Sequence, residues 1–259
     1  MRIILVVWLV TTLSTTARGD DNWIDYFSAG PFECRSEFKL SDSQILLGEL
    51  QQLKADIEST LALRPAKGTI QLNLFRHKRN YIRYVSRRFP AGANRQALYI
   101  KGTDTGRIYI YRHLRYLTDV RHETSHAVLH NALPFLPLWL DEGLAEYFEV
   151  PADLRVDKHP HLDGLRWMIR FGWAPRLHAL EEKRGWTEMR ANDYRESWAW
   201  VHFMLHGPQE AQQTLAGYLG AIMNGDHPGL LSEQLARHVP NAKRRLVQHV
   251  TSWKSKSAK

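Results

Sequence analysis

The chain has 259 residues, of which 44% are hydrophobic and 24% charged, and its formal net charge is +8. This length allows one large domain or two small ones, and the composition is that of a folded globular chain, which excludes disordered and fibrous classes. A single cysteine, Cys34, excludes an intramolecular disulfide framework. We expect Cys34 to be a small buried side chain within a strand.

The N-terminal residues have the layout of a secretory signal peptide. Arg2 precedes an apolar run from Ile3 to Leu13, and small residues follow at Ala17 and Gly19. The run is too short to cross a bilayer as a helix, which requires roughly 20 residues. We therefore predict a signal peptide over residues 1–19, cleaved after Ala17 or Gly19, and a secreted or periplasmic mature chain. The alternative is an uncleaved membrane anchor, and no later stretch is apolar enough to span a membrane.

The N-terminal half alternates strands with two helices. The hydrophobic patterns predict strands over 32–38, 69–75, 97–100 and 107–112, and helices over 41–63 and 80–89. Ser41 or Asp42 is the expected cap of the first helix. The last two strands flank KGTDTG, which predicts a hairpin. We interpret its second strand, RIYIYR, as a sheet edge that an extended peptide can join by strand addition.

From about residue 114 the apolar spacing is helical up to the end of the chain. Helices are predicted over 115–131, 138–149, 162–171, 192–206, 209–224 and 230–254, the last broken at Pro240. Strands followed by helices predict an α+β fold whose sheet comes from the N-terminal half. Because no linker rich in Ser or Gly divides the chain, we predict a single domain over 20–259. Its strand-rich sublobe (about 20–114) and helical sublobe (115–259) are expected to border a cleft.

The stretch RHETSHAVLH contains two histidines four residues apart, with Glu123 directly after the first. On a helix, His122 and His126 lie on one face and can aim a ring nitrogen at the same point. Zinc binds imidazole nitrogen at about 2.0–2.1 Å, which this spacing suits. Glu123 is rotated by about 100°, so it can act as general base toward a water molecule that the metal activates. The alternative is a solvated surface helix, but the apolar flanks Val120 and Val128 indicate a packed one.

The segment LPLWLDEGLAEYFE (136–149) supplies a third ligand. Glu142 and Glu146 share one face of an otherwise apolar helix, which is costly without a cation nearby. We predict that Glu142 binds the metal and that Glu146 accepts a hydrogen bond from the free ring nitrogen of a ligand histidine. Two alternatives stay open, namely Glu146 as the ligand and His130, which continues the four-residue histidine spacing.

HETSH followed by WLDEGLAEYFE resembles the gluzincin clan of zinc metallopeptidases, and most closely its peptidase MA-like family. The resemblance covers the site strongly and, by the order of strands and helices, about residues 30–255. It implies a zincin-like fold with the active-site helix at the cleft. It also implies that His122, His126 and Glu142 are zinc ligands and that Glu123 is the catalytic base.

Tyr194 is a further catalytic candidate. It lies in NDYRESWAWVHFML and resembles the tyrosine that stabilises the oxyanion in the aminopeptidases of the clan; the alternative is a core tyrosine near a helix start. His202 and His206 follow on the same helix without a flanking carboxylate, and we predict packing or surface roles for them. The clan's aminopeptidases also carry a glutamate that grips the substrate's amino terminus. The corresponding segment, GANRQ (92–96), has none, which argues against an aminopeptidase.

These patterns predict a secreted or periplasmic zinc metallopeptidase that acts on a peptide or protein substrate. Two alternatives stay open: a zinc hydrolase of a non-peptide substrate, and a non-enzymatic basic envelope protein that binds a polyanion or a partner. The basic clusters at 76–88 and 243–245 either contact a polyanion or form plain solvated surface. Neither has a nucleic-acid motif around it, so no specific nucleic-acid binding is expected.

Overall fold

The structure, a computed structural model, describes residues 23–40, 43–65 and 67–253. The predicted signal peptide and the predicted cap residues Ser41 and Asp42 lie outside these ranges. The strands are β1 (Asp25–Ala29), β2 (Phe32–Ser36), β3 (Thr69–Phe75), β4 (Ala97–Ile100) and β5 (Thr105–Tyr111). The helices are α1 (Ser43–Thr60), α2 (Lys78–Arg88), α3 (Tyr116–Ala132), α4 (Leu138–Phe148), α5 (Ala152–Arg155), α6 (His161–Arg170), α7 (Leu177–Glu181), α8 (Ala191–His206), α9 (Gln209–Met223), α10 (Leu231–His238) and α11 (Ala242–Ser252).

The strands form one mixed sheet in the order β1-β2-β3-β5-β4. The three central strands are parallel, and β1 and β4 pair antiparallel at the two edges. The hairpin predicted around KGTDTG is confirmed, but the prediction that RIYIYR is a sheet edge is wrong. Strand β5 pairs with β3 on one side and with β4 on the other, because ALYI covers the side that the sequence pattern left open. The edge strand that contacts α3 is therefore β4.

The two faces of the sheet differ in what covers them. The inner face packs against α1 and α3 through fully buried aliphatic side chains, which include Ile70, Leu72, Ile108 and Ile110. The outer face carries a smaller aromatic cluster that packs against α2 and contains Phe75, Tyr81, Tyr109 and Tyr111. Burying one aliphatic side chain of the inner face contributes about 1.5–3 kcal/mol to the free energy of unfolding. The main core therefore lies on the inner face and holds α3 directly against β5 and β4.

Helices α3, α4 and α8 form the centre of the helical half. One side of α3 contacts the sheet and the other contacts α4, which in turn packs closely on α8. Gly143 makes this close approach possible, because a Cβ at this position would lie 2.7 Å from the carbonyl oxygen of Ser197 on α8. The glycine that directly follows Glu142 therefore fixes α4 against α8.

The predicted α+β fold is confirmed, with the sheet built from the N-terminal half and helices thereafter. Cys34 is buried in β2, as expected. Strand β1 and the short helices α5 and α7 were not predicted, because helices of 4 and 5 residues contain too few turns to show a periodicity. Among the described residues, none of the helices has the length and apolar character needed to cross a membrane.

Candidate metal centre

Helices α3 and α4 bring the three predicted ligands together. The Nε2 atoms of His122 and His126 are 3.2 Å apart. The Oε2 atom of Glu142 lies 3.5 Å from each of these two nitrogens. In a tetrahedral zinc site with bonds of about 2.0–2.1 Å, two ligand atoms are about 3.3–3.4 Å apart. The three atoms, called the ligand triangle below, therefore have the separations of one face of such a tetrahedron.

The chemistry of the ligand triangle also suits a zinc ion. Glu142 is 4% exposed, and its Oε2 accepts no hydrogen bond from the residues that the structure describes. A buried carboxylate oxygen without a hydrogen bond is costly, and a cation between the three atoms offsets that cost. Two imidazole nitrogens and one carboxylate oxygen form a zinc ligand set of the catalytic type, whose fourth position is left to a ligand from outside the protein. The three residues therefore fit zinc.

Each ligand histidine has a carboxylate at its other ring nitrogen. Nδ1 of His122 is hydrogen-bonded to Oε2 of Glu149 at 3.0 Å. Nδ1 of His126 lies 3.0 Å from Oδ1 of Asp141. Carboxylates in such positions fix the orientation of the ring and direct its remaining nitrogen toward the metal. The two rings are thus held in place independently of the third ligand, Glu142.

Glu146 does not have the predicted role. Its Oε2 is hydrogen-bonded to Nε2 of His161 on α6 at 2.7 Å. The prediction that Glu146 accepts a hydrogen bond from a ligand histidine is therefore corrected, because Glu149 occupies that position against His122. Ligand-type atoms of His122, Glu146 and Glu149 still lie within 4.8 Å of one another. Glu146 thus belongs to the surroundings of the site without contacting a ligand ring through a hydrogen bond.

The charges of the site stabilise a cation at the ligand triangle. Burial would lower the pKa of His126, but Asp141 and Glu142 raise it to about 10. Burial lowers the pKa of His122, but the carboxylate of Glu142, 3.5 Å away, and the hydrogen-bonded carboxylate of Glu149 raise it well above the ordinary value. Burial raises the pKa of both carboxylates, but His126 and His130 lower that of Asp141, and His126 and His122 lower that of Glu142. The carboxylates therefore favour positive charge at the imidazole nitrogens.

Glu123 is buried on the same helix as the ligand histidines, with 5% of its surface exposed. No hydrogen bond or ion pair joins its carboxylate to another residue in the described part of the chain. Its charge is close enough to Tyr81, Tyr99 and His122 to raise the pKa of each of them. Glu123 is therefore free to accept a proton from a molecule bound at the ligand triangle.

Strand β4 forms one rim of the site. The ring of Tyr99 stacks near His126 at a centroid distance of 6.4 Å and meets His130 edge-on at 5.5 Å. The Tyr99 hydroxyl is buried, and no described residue forms a hydrogen bond with it. Burial raises the pKa of this hydroxyl, and Asp141 and Glu123 raise it further. Tyr99 is therefore a neutral hydrogen-bond donor on the strand next to the predicted metal ligands.

Tyr194 approaches the site from the first turn of α8. Burial raises its pKa, and the charge of Glu142 raises it further, whereas Arg95 lowers it. The Tyr194 hydroxyl is therefore within electrostatic range of Glu142 and of the Arg95 guanidinium. The Cζ atom of Arg95 lies 5.2 Å from the ring of Trp186, so the loop before β4 approaches the segment before α8 at this end of the site.

His130 does not join the ligand triangle. Its Nε2 is hydrogen-bonded to Oδ2 of Asp141 at 2.9 Å. His126, His130 and Asp141 form a second group of residues that could bind a metal ion. In this group His126 faces Asp141 with its Nδ1 atom, whereas it belongs to the ligand triangle through its Nε2 atom. His130 therefore holds Asp141, which in turn holds a ligand ring.

His202 is buried in the helical half, and His206, one turn later, is half-buried there. Nε2 of His202 donates to the carbonyl oxygen of Val156 at 2.9 Å, so its Nδ1 accepts from Nε2 of His249 at 2.9 Å. Nε2 of His206 lies 2.8 Å from the hydroxyl of Tyr147. Burial lowers the pKa of His202 to about 3 and that of His249 to about 4, so these rings are neutral near pH 7.

Three residues that contact the ligand histidines were not predicted from the sequence, namely Tyr99, Asp141 and Glu149. Glu149 carries a signal, because it lies two helical turns after Glu142 on the same side. The position of Asp141 depends on how α4 crosses α3, which no local pattern encodes. Tyr99 reaches the site from a strand that is distant in sequence.

No protein-family model matches this chain, and none of the curated proteins compared with it does either. The residues of the site and the resemblance of its motifs are therefore the basis on which a function can be assigned.

Proposed function

We propose that the chain is a zinc-dependent metallopeptidase with a zincin-like arrangement of sheet edge, active-site helix and ligand helix. The ligand triangle carries this proposal, with atoms 3.2 and 3.5 Å apart and the unpaired carboxylate of Glu123 on the same helix. A structural zinc site closes its fourth position with a protein ligand and needs no base. Three protein donors next to a free carboxylate therefore favour catalysis. The signal-like N-terminal sequence supports action in the periplasm or outside the cell.

Each residue of the site has a task in peptide hydrolysis. His122, His126 and Glu142 would hold a zinc ion, and that ion would supply Lewis-acid chemistry toward the scissile carbonyl and the attacking water molecule. Glu123 accepts a proton from the attacking water at its carboxylate and passes it to the nitrogen of the leaving amine. Tyr194 donates a hydrogen bond to the oxyanion, and the loss of one such donor costs about 2.7–4 kcal/mol.

An extended peptide suits the open edge of the sheet. Within residues 23–40, 43–65 and 67–253, one side of β4 has no partner strand, and Tyr99 on this strand stacks near His126. A peptide that pairs with β4 gains backbone hydrogen bonds and lies beside the metal ligands. Strand β4 thus takes the role that the sequence suggested for RIYIYR.

The variant Glu123→Gln tests the mechanism. Glutamine keeps the size of the side chain but cannot accept the proton, so we expect an unchanged zinc content and a loss of hydrolysis of about 10²–10⁴-fold. Cleavage of a mixed peptide library, followed by mass spectrometry, measures this loss.

Glu182→Gln is the matched control, since the side chain of Glu182 is 69% exposed. We expect this control to keep full activity. A Glu123→Gln protein that cleaves the library at the wild-type rate would contradict the mechanism. Zinc-loaded wild-type protein that cleaves no peptide would favour the alternative, a hydrolase of a non-peptide substrate.

A further inference from the structure

The outer face of the sheet carries a dense group of cationic side chains, called the basic face below. Six of them lie between residues 76 and 88, on and just before α2, and the other two project from β2 and β5. The strand residues are on this face because they share the alternation of Tyr109, which belongs to the outer aromatic cluster. The members of the basic face are Arg35, Arg76, Lys78, Arg79, Arg83, Arg87, Arg88 and Arg107.

The cations of the basic face are not neutralised within the described residues. The Lys and Arg ion pairs found there involve other side chains. Two carboxylates are near. Glu37 accepts hydrogen bonds from the backbone N–H of Arg76 at 3.0 Å and from Asn80 at 2.9 Å, and Glu33 is exposed on β2. The face therefore keeps a large excess of positive charge.

Aromatic rings hold two of these cations in place. The Cζ atom of Arg88 lies 3.7 Å from the ring centroid of Tyr84. Arg35 lies over the ring of Trp23 at 4.6 Å and donates to the hydroxyl of Tyr84 at 3.0 Å. A guanidinium group that is already stacked on a ring loses little conformational entropy when an anion binds. Its remaining N–H groups can still donate hydrogen bonds to phosphate oxygens. The face is thus preorganised for anions.

Apolar side chains are exposed among the cations. Ile82 on α2 is 37% exposed, and Tyr26 on the outer side of β1 is 67% exposed. The aromatic ring of Trp23 packs on Tyr84 at a centroid distance of 6.3 Å, beside α2. Surfaces that combine cations with exposed apolar and aromatic side chains bind the interface of anionic bilayers. A hydrophilic polyanion gains nothing from the exposed isoleucine.

We propose that the basic face docks the protein onto an anionic lipid bilayer. The cations lie at the phosphate headgroups, with Ile82 and Tyr26 in the interface. The ligand triangle belongs to α3 and α4, and α3 packs on the inner side of the sheet, so docking through the outer side leaves the site accessible. This inference does not depend on the proposed peptidase activity.

Co-sedimentation with vesicles tests the proposal. The vesicles contain phosphatidylcholine alone or a two-to-one mixture of phosphatidylcholine and phosphatidylglycerol. We expect the full chain to bind the anionic vesicles more strongly, and this difference to disappear at about 1 M salt, where the Debye length is about 3 Å. The neutral vesicles measure any contribution of the N-terminal apolar run.

A pair of triple variants separates the basic face from net charge. Arg79, Arg83 and Arg87 are four residues apart and form one exposed stripe on α2. Replacing all three by Glu should lower binding to anionic vesicles by at least about a hundredfold, since each cation near such a surface is worth roughly fivefold. The matched control replaces the exposed Arg237, Lys243 and Arg244 by Glu, which changes net charge equally. Circular dichroism checks that both variants fold.

Each outcome either supports or overturns the proposal. Loss of binding in the α2 variant, with binding kept in the control, supports docking through the basic face. Equal loss in both variants overturns it, because net charge alone then explains the binding. Absence of a preference for phosphatidylglycerol overturns it as well. Salt-sensitive binding of a DNA oligonucleotide without vesicle binding would identify a different polyanion and overturn the membrane assignment.

Discussion

Neighbouring carboxylates of one helix have different tasks in the site. Glu142 contributes an oxygen to the ligand triangle, whereas Glu149 and Asp141 hold the rings of the ligand histidines. Glu146 lies between Glu142 and Glu149 in sequence, but it is hydrogen-bonded to His161. The tasks are set by which oxygen reaches which nitrogen, and not by the number of carboxylates on the helix.

The variant Glu149→Gln tests this assignment at the residue scale. We expect its zinc affinity to fall about 10–100-fold, because the ring of His122 loses its charged acceptor. Competition with a chromophoric chelator measures the affinity. Glu146→Gln, with the same chemical change one turn earlier, should have a clearly smaller effect. Equal losses, or a larger loss in Glu146→Gln, would return to Glu146 the role that the sequence suggested.

At the element scale, the site depends on the distance between α4 and α8. Gly143 has no side chain where α4 meets the Ser197 carbonyl, and this contact sets the position of Glu142 relative to α3. Strand β4 closes the other side of the site against α3. Both contacts are tertiary, so the ligand triangle exists only when sheet and helices are assembled.

The variant Gly143→Ala should separate α4 from α8. Its Cβ would lie 2.7 Å from the Ser197 carbonyl oxygen, so we expect the free energy of unfolding to fall by about 1–3 kcal/mol and zinc affinity to fall with it. Urea unfolding measures the first quantity. Gly217→Ala on α9 is the control, because no atom lies within 4 Å of its new Cβ. That control should gain about 0.5–1 kcal/mol. A Gly143→Ala protein as stable as the control would show that the contact is not needed.

The sequence predicted most elements but not how they meet. Helical spacing predicted α3 and α4, and it predicted that His122 and His126 share one face of α3 and that Glu142 lies on α4. The same local period determines the helix and the face on which each of its side chains lies. The interior position of β5 was missed, since a strand pattern does not show which neighbours pair with it. The partners of His122 and His126 were missed for a related reason. Asp141 and Glu149 face these histidines only because of the angle at which α4 crosses α3, and residues distant in sequence help to set that angle.

At the scale of the whole molecule, a group of neutral histidines connects different helices of the helical half. His202 on α8 is hydrogen-bonded to His249 on α11 and to the backbone at Val156. His159 stacks on Trp198 at 4.5 Å. Burial lowers the pKa of His159 and His249 to about 4 and that of His202 to about 3. The fold of this half therefore contains rings that must remain unprotonated.

We expect the protein to lose stability as pH falls below about 6.5, the ordinary pKa of histidine. Because the pKa of each ring is lower in the folded state, the unfolded state binds more protons between about pH 4 and 6.5 and acid favours unfolding. Each histidine contributes up to about 1.4 kcal/mol per pH unit in this window. Urea unfolding at about pH 7 and about pH 5 measures the slope.

His249→Gln identifies the source of this slope. Glutamine keeps a donor for His202 but cannot be protonated, so the slope should fall by up to about 1.4 kcal/mol per pH unit. Contributions of the metal site are the same in both proteins and cancel in the comparison. A variant with the wild-type slope would mean that His249 titrates alike in the folded and unfolded states.

The zinc content of the purified chain tests most directly whether His122, His126 and Glu142 hold zinc. Elemental mass spectrometry on the wild type and on His126→Ala, both dialysed after incubation with zinc, gives the number of ions per chain. The ligand triangle predicts one zinc ion in the wild type and none in the variant. A wild type without zinc, or a variant that keeps it, would contradict the metal centre and leave HETSH as part of an ordinary packed helix.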